Sequence, residues 1–397
     1  MRELVARPVR LRHPAPFPSA FQHLQVALPA AAGVDAHAVV VDLAEGIDDE
    51  LVDAAVRRHW WSADHGQLVP RRATARELVA EGGPVLRVRA LGWVDPAERA
   101  LPGFPLADDD DDAPRLWVRA RRDDASGAAE GWMPYTLAIA RPADARPDEP
   151  LAHPPLLGGF GAGVDPVAAS DAAWRSIVID DALWCWWTGL ARAASVDPSP
   201  EVRRLWADAD LGLTLRRLDR GVLAPVTLAV VDDGVALTIG GGVGLDAAAQ
   251  RAAIAQALWQ LVIARALDDP AVSLSAPGVV GHRPDRRYAP EGVVDRRRLL
   301  DPLAHVQLSL DPGVRADVRR RLDAVDDDAP TVAAEPVETW TVALAPDAGV
   351  VRMFSPAAVP VPWGAFRLDP ALVARAAART GRAPTPAAER QTPYPGW

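Results

Sequence analysis

Two short glycine-rich segments of this chain are near copies of each other. They are Gly161-Ala162-Gly163-Val164-Asp165 and Gly242-Val243-Gly244-Leu245-Asp246, each leading into an alanine-rich stretch of helical character. The offset is a constant 81 residues, which sets Ala168 against Ala249 and Ala172 against Ala253. A glycine-rich turn that opens a helix presents backbone N–H groups at the positive end of the helix dipole, and such a turn attracts anions such as phosphate. Gly161, Gly163 and Gly242 are therefore candidate cofactor-binding positions. Two ordinary strand-to-helix turns would produce the same pattern.

The helix after the first turn carries the next candidates. Trp174, Ile177, Val178, Trp184 and Cys185 form one stripe at helical spacing, and Asp181 falls on that stripe. A carboxylate on an apolar face is either a site residue or a partnered core group. Ser176 and Asp180 lie one turn apart on the neighbouring face. Other chemistry is excluded by composition. All 43 basic residues are Arg, so no Schiff base to pyridoxal phosphate and no P-loop lysine can form. Cys185 is the single cysteine, and the eight histidines show no HxH or HExxH spacing. No zinc site is expected. The acid run Asp108 to Asp112 imitates a metal site, but adjacent like charges more often make a solvated loop.

The chain is 397 residues long, 49% hydrophobic and of net charge −10, enough for one large or two to three ordinary globular domains. The negative charge argues against a nucleic-acid partner. No run of 18 apolar residues and no apolar signal core occurs, so no membrane contact and a cytoplasmic location are expected.

The elements that must position these residues follow from local pattern. Residues 1–80 read as a small N-terminal α/β segment, a possible docking piece, with a buried strand at Ala38–Leu43 and a helix from Asp48 to about Trp61. Val85 to Leu91 alternates as a strand does, and so does Leu116 to Arg121. Residues 141–155 are linker-like. The first repeat helix runs from about Asp165 to Arg192. Pro225–Val231 and Val235–Ile239 read as paired strands before a glycine turn at Gly240–Gly244 and a second helix to about Leu267. The segment 268–300 is an Arg-rich loop that could hold phosphate or an acidic peptide, or simply face solvent. A polar helix covers 311–325, strands follow at Thr339–Leu344 and Val350–Phe354, and a helix spans 369–380 before a Pro-rich end.

These pieces, in this order, resemble the YcaO family, and more narrowly its azoline-forming branch in ribosomal peptide maturation. The resemblance is carried by GGFGAGVDPVAASDAAWRS (158–176), PVTLAVVDDG with GGGVGLD and AIAQALWQLVIAR (225–265), VVRMFSPAAVPVPWG (350–364) and the terminal TPYPGW. It implies an α/β (α+β mixed) fold of duplicated α/β units, with mixed sheets and helices around a central cleft. Residues 81–397 would form the YcaO-like domain, with repeats at 158–192 and 239–267. It also implies ATP and Mg²⁺ as cofactors, and a cyclodehydratase that activates a backbone amide oxygen by phosphorylation. Pro393 and Pro395 would belong to a tail that reaches the active site, or to a frayed end.

The motif positions depart from that pattern. The family's lysine falls on Ala162, its two glutamates on Ser176 and Ile179, and its arginine on Asp180. In the second helix its glutamate falls on Gln260, or on Gln256 in another register, and no carboxylate lies between Asp246 and Asp268. A neutral amide is a poor substitute for a carboxylate on a hard dication. Asp180 and Asp181 could supply a shifted catalytic and metal site, though one residue turns a side chain about 100° round a helix. The expectation is a degenerate YcaO homologue that binds a precursor peptide or a catalytic partner protein, as a homodimer or heterodimer, with weak or lost ATP–Mg²⁺ binding. An active ATP-dependent cyclodehydratase and a non-enzymatic scaffold are the alternatives.

Overall fold

The computed structural model describes residues 8–28, 37–61, 68–104, 106–139, 148–153, 158–219, 221–268, 307–325, 337–360 and 367–383. Its first part contains β1 (Val9–Leu11), β2 (Phe21–Ala27), β3 (His37–Leu43), α1 (Asp49–Trp61), β4 (Arg71–Ala73), α2 (Ala75–Ala80), α3 (Val88–Leu91), α4 (Pro96–Arg99), β5 (Arg115–Asp124), β6 (Gly127–Pro134) and α5 (Tyr135–Ala138). Next come β7 (Phe160–Ala162), α6 (Pro166–Trp187), β8 (Ala194–Ser195), α7 (Pro200–Leu205), β9 (Gly212–Leu218), β10 (Val226–Asp232), β11 (Leu237–Val243) and α8 (Ala247–Asp268). The last elements are α9 (Pro312–Asp323), β12 (Thr339–Ala345), β13 (Val350–Phe354) and α10 (Pro370–Thr380).

Three sheets result, in the orders β1-β2-β3, β11-β10-β9-β8 and β4-β5-β12-β13-β7, with β6 also on β5. The strand pairs are antiparallel throughout, and parallel pairing among the described residues is confined to two isolated bridges. The fold is therefore α+β, and the mixed sheets implied by the resemblance are antiparallel instead. The reason is connectivity: β5–β6, β10–β11 and β12–β13 are joined by short turns, and a short turn reverses direction.

The sheets and long helices stack in layers. α6 contacts β7 and β13 on one side and β10 and β11 on the other, while α8 contacts β10, β11 and β3. The order is thus six-stranded sheet, α6, four-stranded sheet, α8, three-stranded sheet. β10 is covered on both faces, which is why PVTLAVV reads as an unbroken apolar run rather than an alternating one. Val226, Leu228 and Val230 enter the core with Val178 and Leu183 of α6. Ala229 and Val231 enter the core with Ile254 and Leu258 of α8.

Glycines make this stacking possible. A Cβ on Gly240 would stand 2.1 Å from the Ala253 carbonyl oxygen, and one on Gly242 would stand 2.0 Å from that of Ala249. A Cβ on Gly241 would point the other way, 2.5 Å from Cγ2 of Ile179 in α6. The three glycines expected in a turn therefore belong to β11, and alternate between the two helices pressed on that strand. Gly161 of β7 does the same, since its Cβ would stand 1.9 Å from the Ala169 carbonyl oxygen of α6.

One further expectation is corrected. Val85 to Leu91 is not a strand: Val88 and Leu91 are buried one helical turn apart in α3, and Gly92 closes that helix at φ 69°. Its alternation reflects Arg87 and Arg89 reaching Asp111 on one side. The described part of the N-terminal segment packs on the rest of the chain. Phe17, Phe21 and Leu43 share a core with α8, Arg57 Nη1 donates to the Gly163 carbonyl at 2.7 Å, and β4 pairs with β5.

The N-terminal sheet docks on α8 through histidines. His13 Nε2 and His23 Nδ1 are 2.8 Å apart, and the His23 ring meets Trp259 edge-on at 4.8 Å. Burial and the neighbouring His13 hold His23 down at about 4, below its ordinary 6.5. A depressed folded-state value means that folding favours the neutral ring. Its contribution is full above the unfolded value and is lost as pH falls through the folded one. Denaturant midpoints are expected to drop from pH 6.5 towards pH 4, with a shallower drop in His23→Phe. For β11, Gly242→Ala is expected to cost about 3 kcal/mol or more, because its neighbour is backbone. Gly241→Ala should cost less, because the Ile179 side chain can yield. Chemical denaturation of both variants checks the order.

Candidate functional site

The paired turns have already bound an anion of their own. Asp165 Oδ1 accepts from Ala168 N–H at 2.8 Å, and Asp246 Oδ1 accepts from Ala249 N–H at 2.8 Å. Each aspartate is the N-cap of its helix, so its carboxylate occupies the dipole end that a phosphate would seek. Gly163 is engaged at both ends, donating to the Gly349 carbonyl at 2.9 Å and accepting from Arg57. Gly161 and Gly242 serve close packing. The duplication is real as structure, one strand and one 22-residue helix in each copy, but the anion site expected from it is filled.

Ser176, Asp180 and Gly158–Gly159 come together at the start of β7. Ser176 Oγ accepts from Gly159 N–H at 3.1 Å. The Asp180 carboxylate lies so close to Gly158 that a Cβ there would stand 2.3 Å from Oδ2. Arg352 of β13 completes the group, donating to the Gly158 carbonyl and through Nε to the Leu137 carbonyl at 3.3 Å. Its guanidinium lies 3.8 Å from the Phe160 ring centroid and 4.5 Å from that of Phe354. Burial pushes the Asp180 carboxyl up to about 7, with Arg352 opposing. Burial pulls Arg352 down to about 9, with Asp180 opposing. This is a half-buried acid beside a fully buried base, in a sleeve of aromatic rings.

The second repeat repeats one feature of the first. Gln256 Oε1 accepts from Gly241 N–H at 2.8 Å, as Ser176 accepts from Gly159. A polar side chain of the long helix thus satisfies a backbone N–H in both copies, just before β7 in the first and within β11 in the second. Gln260 is buried, 2% exposed. Ile179 packs on Gly241 as described above.

Asp181 stands apart from Asp180. It is wholly buried, and Nη2 of Arg379 in α10 donates to its two oxygens at 2.7 and 2.6 Å. Val359 N–H adds a bond of 2.9 Å to Oδ1. Burial pushes the carboxyl upward, opposed first by the Arg379 charge. Arg379 is fully committed: Nε donates to the Gly221 carbonyl at 2.9 Å and Nη1 to that of Ala357 at 3.0 Å. Of the two roles open to a carboxylate on that stripe, the geometry gives Asp181 the partnered one. Burial also raises the Cys185 thiol beside it, so it stays protonated. Among the described residues, no group of three or more His, Cys, Asp or Glu converges to hold a metal. No helix among them is long and apolar enough to cross a membrane. Pro393, Pro395 and the Arg-rich segment lie outside the described residues.

Sequence reading misses Arg352 and Arg379. Arg352 had a signal, since it interrupts the apolar run VVRMF of β13. Arg379 had none, because its partner is 198 residues away.

No protein-family model and no curated protein sequence matches the chain. Solved structures do. A heterocyclase in complex with substrate and cofactor aligns with a TM-score of 0.63 at 16% identity, covering 99% of this chain and 55% of that one. YcaO from Methanopyrus kandleri, bound with AMPPCP and Mg²⁺, aligns at 0.52 with 14% identity, over 90% of this chain and 86% of that one. The E. coli microcin synthetase McbBCD complex with pro-MccB17 bound aligns at 0.52 with 9% identity, over 89% of this chain and 88% of the matched one. The fold is of the YcaO type, and the chain spans little more than half the length of the first of these proteins.

Breaking a buried ion pair strands a charge in the core and costs about 3–5 kcal/mol. Asp181→Asn and Arg379→Met are each expected to destabilise by that order. The double substitution should cost clearly less than the sum. A double-mutant cycle in denaturant measures it.

Proposed function

We propose that this chain is a degenerate YcaO-fold subunit in the biosynthesis of a ribosomally made, modified peptide. It binds the precursor peptide or a catalytic partner protein, and it has weak ATP–Mg²⁺ binding or none. The observation that carries this reading is the state of the inner faces of α6 and α8. Where the resemblance places nucleotide and metal groups, Ile179 is an apolar contact on Gly241, and Ser176 and Gln256 accept from the backbone N–H groups of Gly159 and Gly241.

The residues present do not fit magnesium–ATP at those positions. Mg²⁺ selects charged, accessible oxygens. Asp181 is neutralised by Arg379, and Asp180 is held half-protonated near neutrality by burial. The turns that would cradle phosphate carry their own carboxylates. Support for a peptide partner comes from the fold, which is shared with the microcin synthetase complex whose structure contains pro-MccB17.

One observation favours the opposing reading, an active cyclodehydratase with relocated ligands: Asp180 beside Arg352 is an acid–base pair on the inner helix face. Calorimetric titration with ATP and Mg²⁺ separates the two. No heat of binding at millimolar nucleotide is expected. Magnesium-dependent binding at micromolar strength would overturn the degenerate reading.

A further inference from the structure

We draw no further inference here: the strongest candidate, the side-chain cluster of His13, His23 and Trp259 between the N-terminal sheet and α8, yields only the acid response already derived for it above, and the unpartnered His23 Nε2 within it is buried beyond the reach of a ligand.

Discussion

The structure depends on the burial of one four-stranded sheet on both faces. Its strands β10 and β11 lie between α6 and α8, and backbone-to-backbone contact there leaves no room for side chains. Gly240 and Gly242 admit α8, and Gly241 admits α6. Interiors are close-packed and yield little, so a methyl group at any of these three places must displace a helix or a side chain. Everything else is arranged around that contact. α6 carries the six-stranded sheet on its far side, and α8 carries the N-terminal sheet.

The same contact governs what the inner faces can do. A helix pressed this close to a strand has few positions free for ligands. In this chain those positions are apolar, as Ile179 is, or engaged with neighbouring backbone, as Ser176 and Gln256 are. The charged groups that remain are paired through the core. Asp181 with Arg379 ties α6 to α10, and Arg352 ties β13 to the lead-in of β7. These pairs fix geometry; an accessible, ionised carboxylate that a dication would need is not among them.

Much of the fold was legible in the chain itself. The helices at 49–61, 166–187, 247–268, 312–323 and 370–380 and the hairpin of β12 and β13 follow from caps, prolines and apolar period, all of which act within a few residues. So does the duplication, whose constant offset reflects two strand–helix units capped alike by Asp165 and Asp246. Val85 to Leu91 misled, because two arginines reaching for Asp111 imitate the alternation of a strand.

What the amino-acid order alone determined was the inventory: which segments form helices and strands, which unit is used twice, and which chemistries are impossible without lysine or a second cysteine. Tertiary structure decided what each residue is for. A glycine in a turn and a glycine under a helix are spelled alike, and the distinction appears only when Ala249 or Ile179 arrives from elsewhere in the chain. Asp180 and Asp181 are adjacent and chemically identical, yet one faces Arg352 beside Gly158 and the other is locked to Arg379, 198 residues away. The physical reason is that a carboxylate's role is set by the dielectric and the partners around it, and those are supplied by segments far off in sequence.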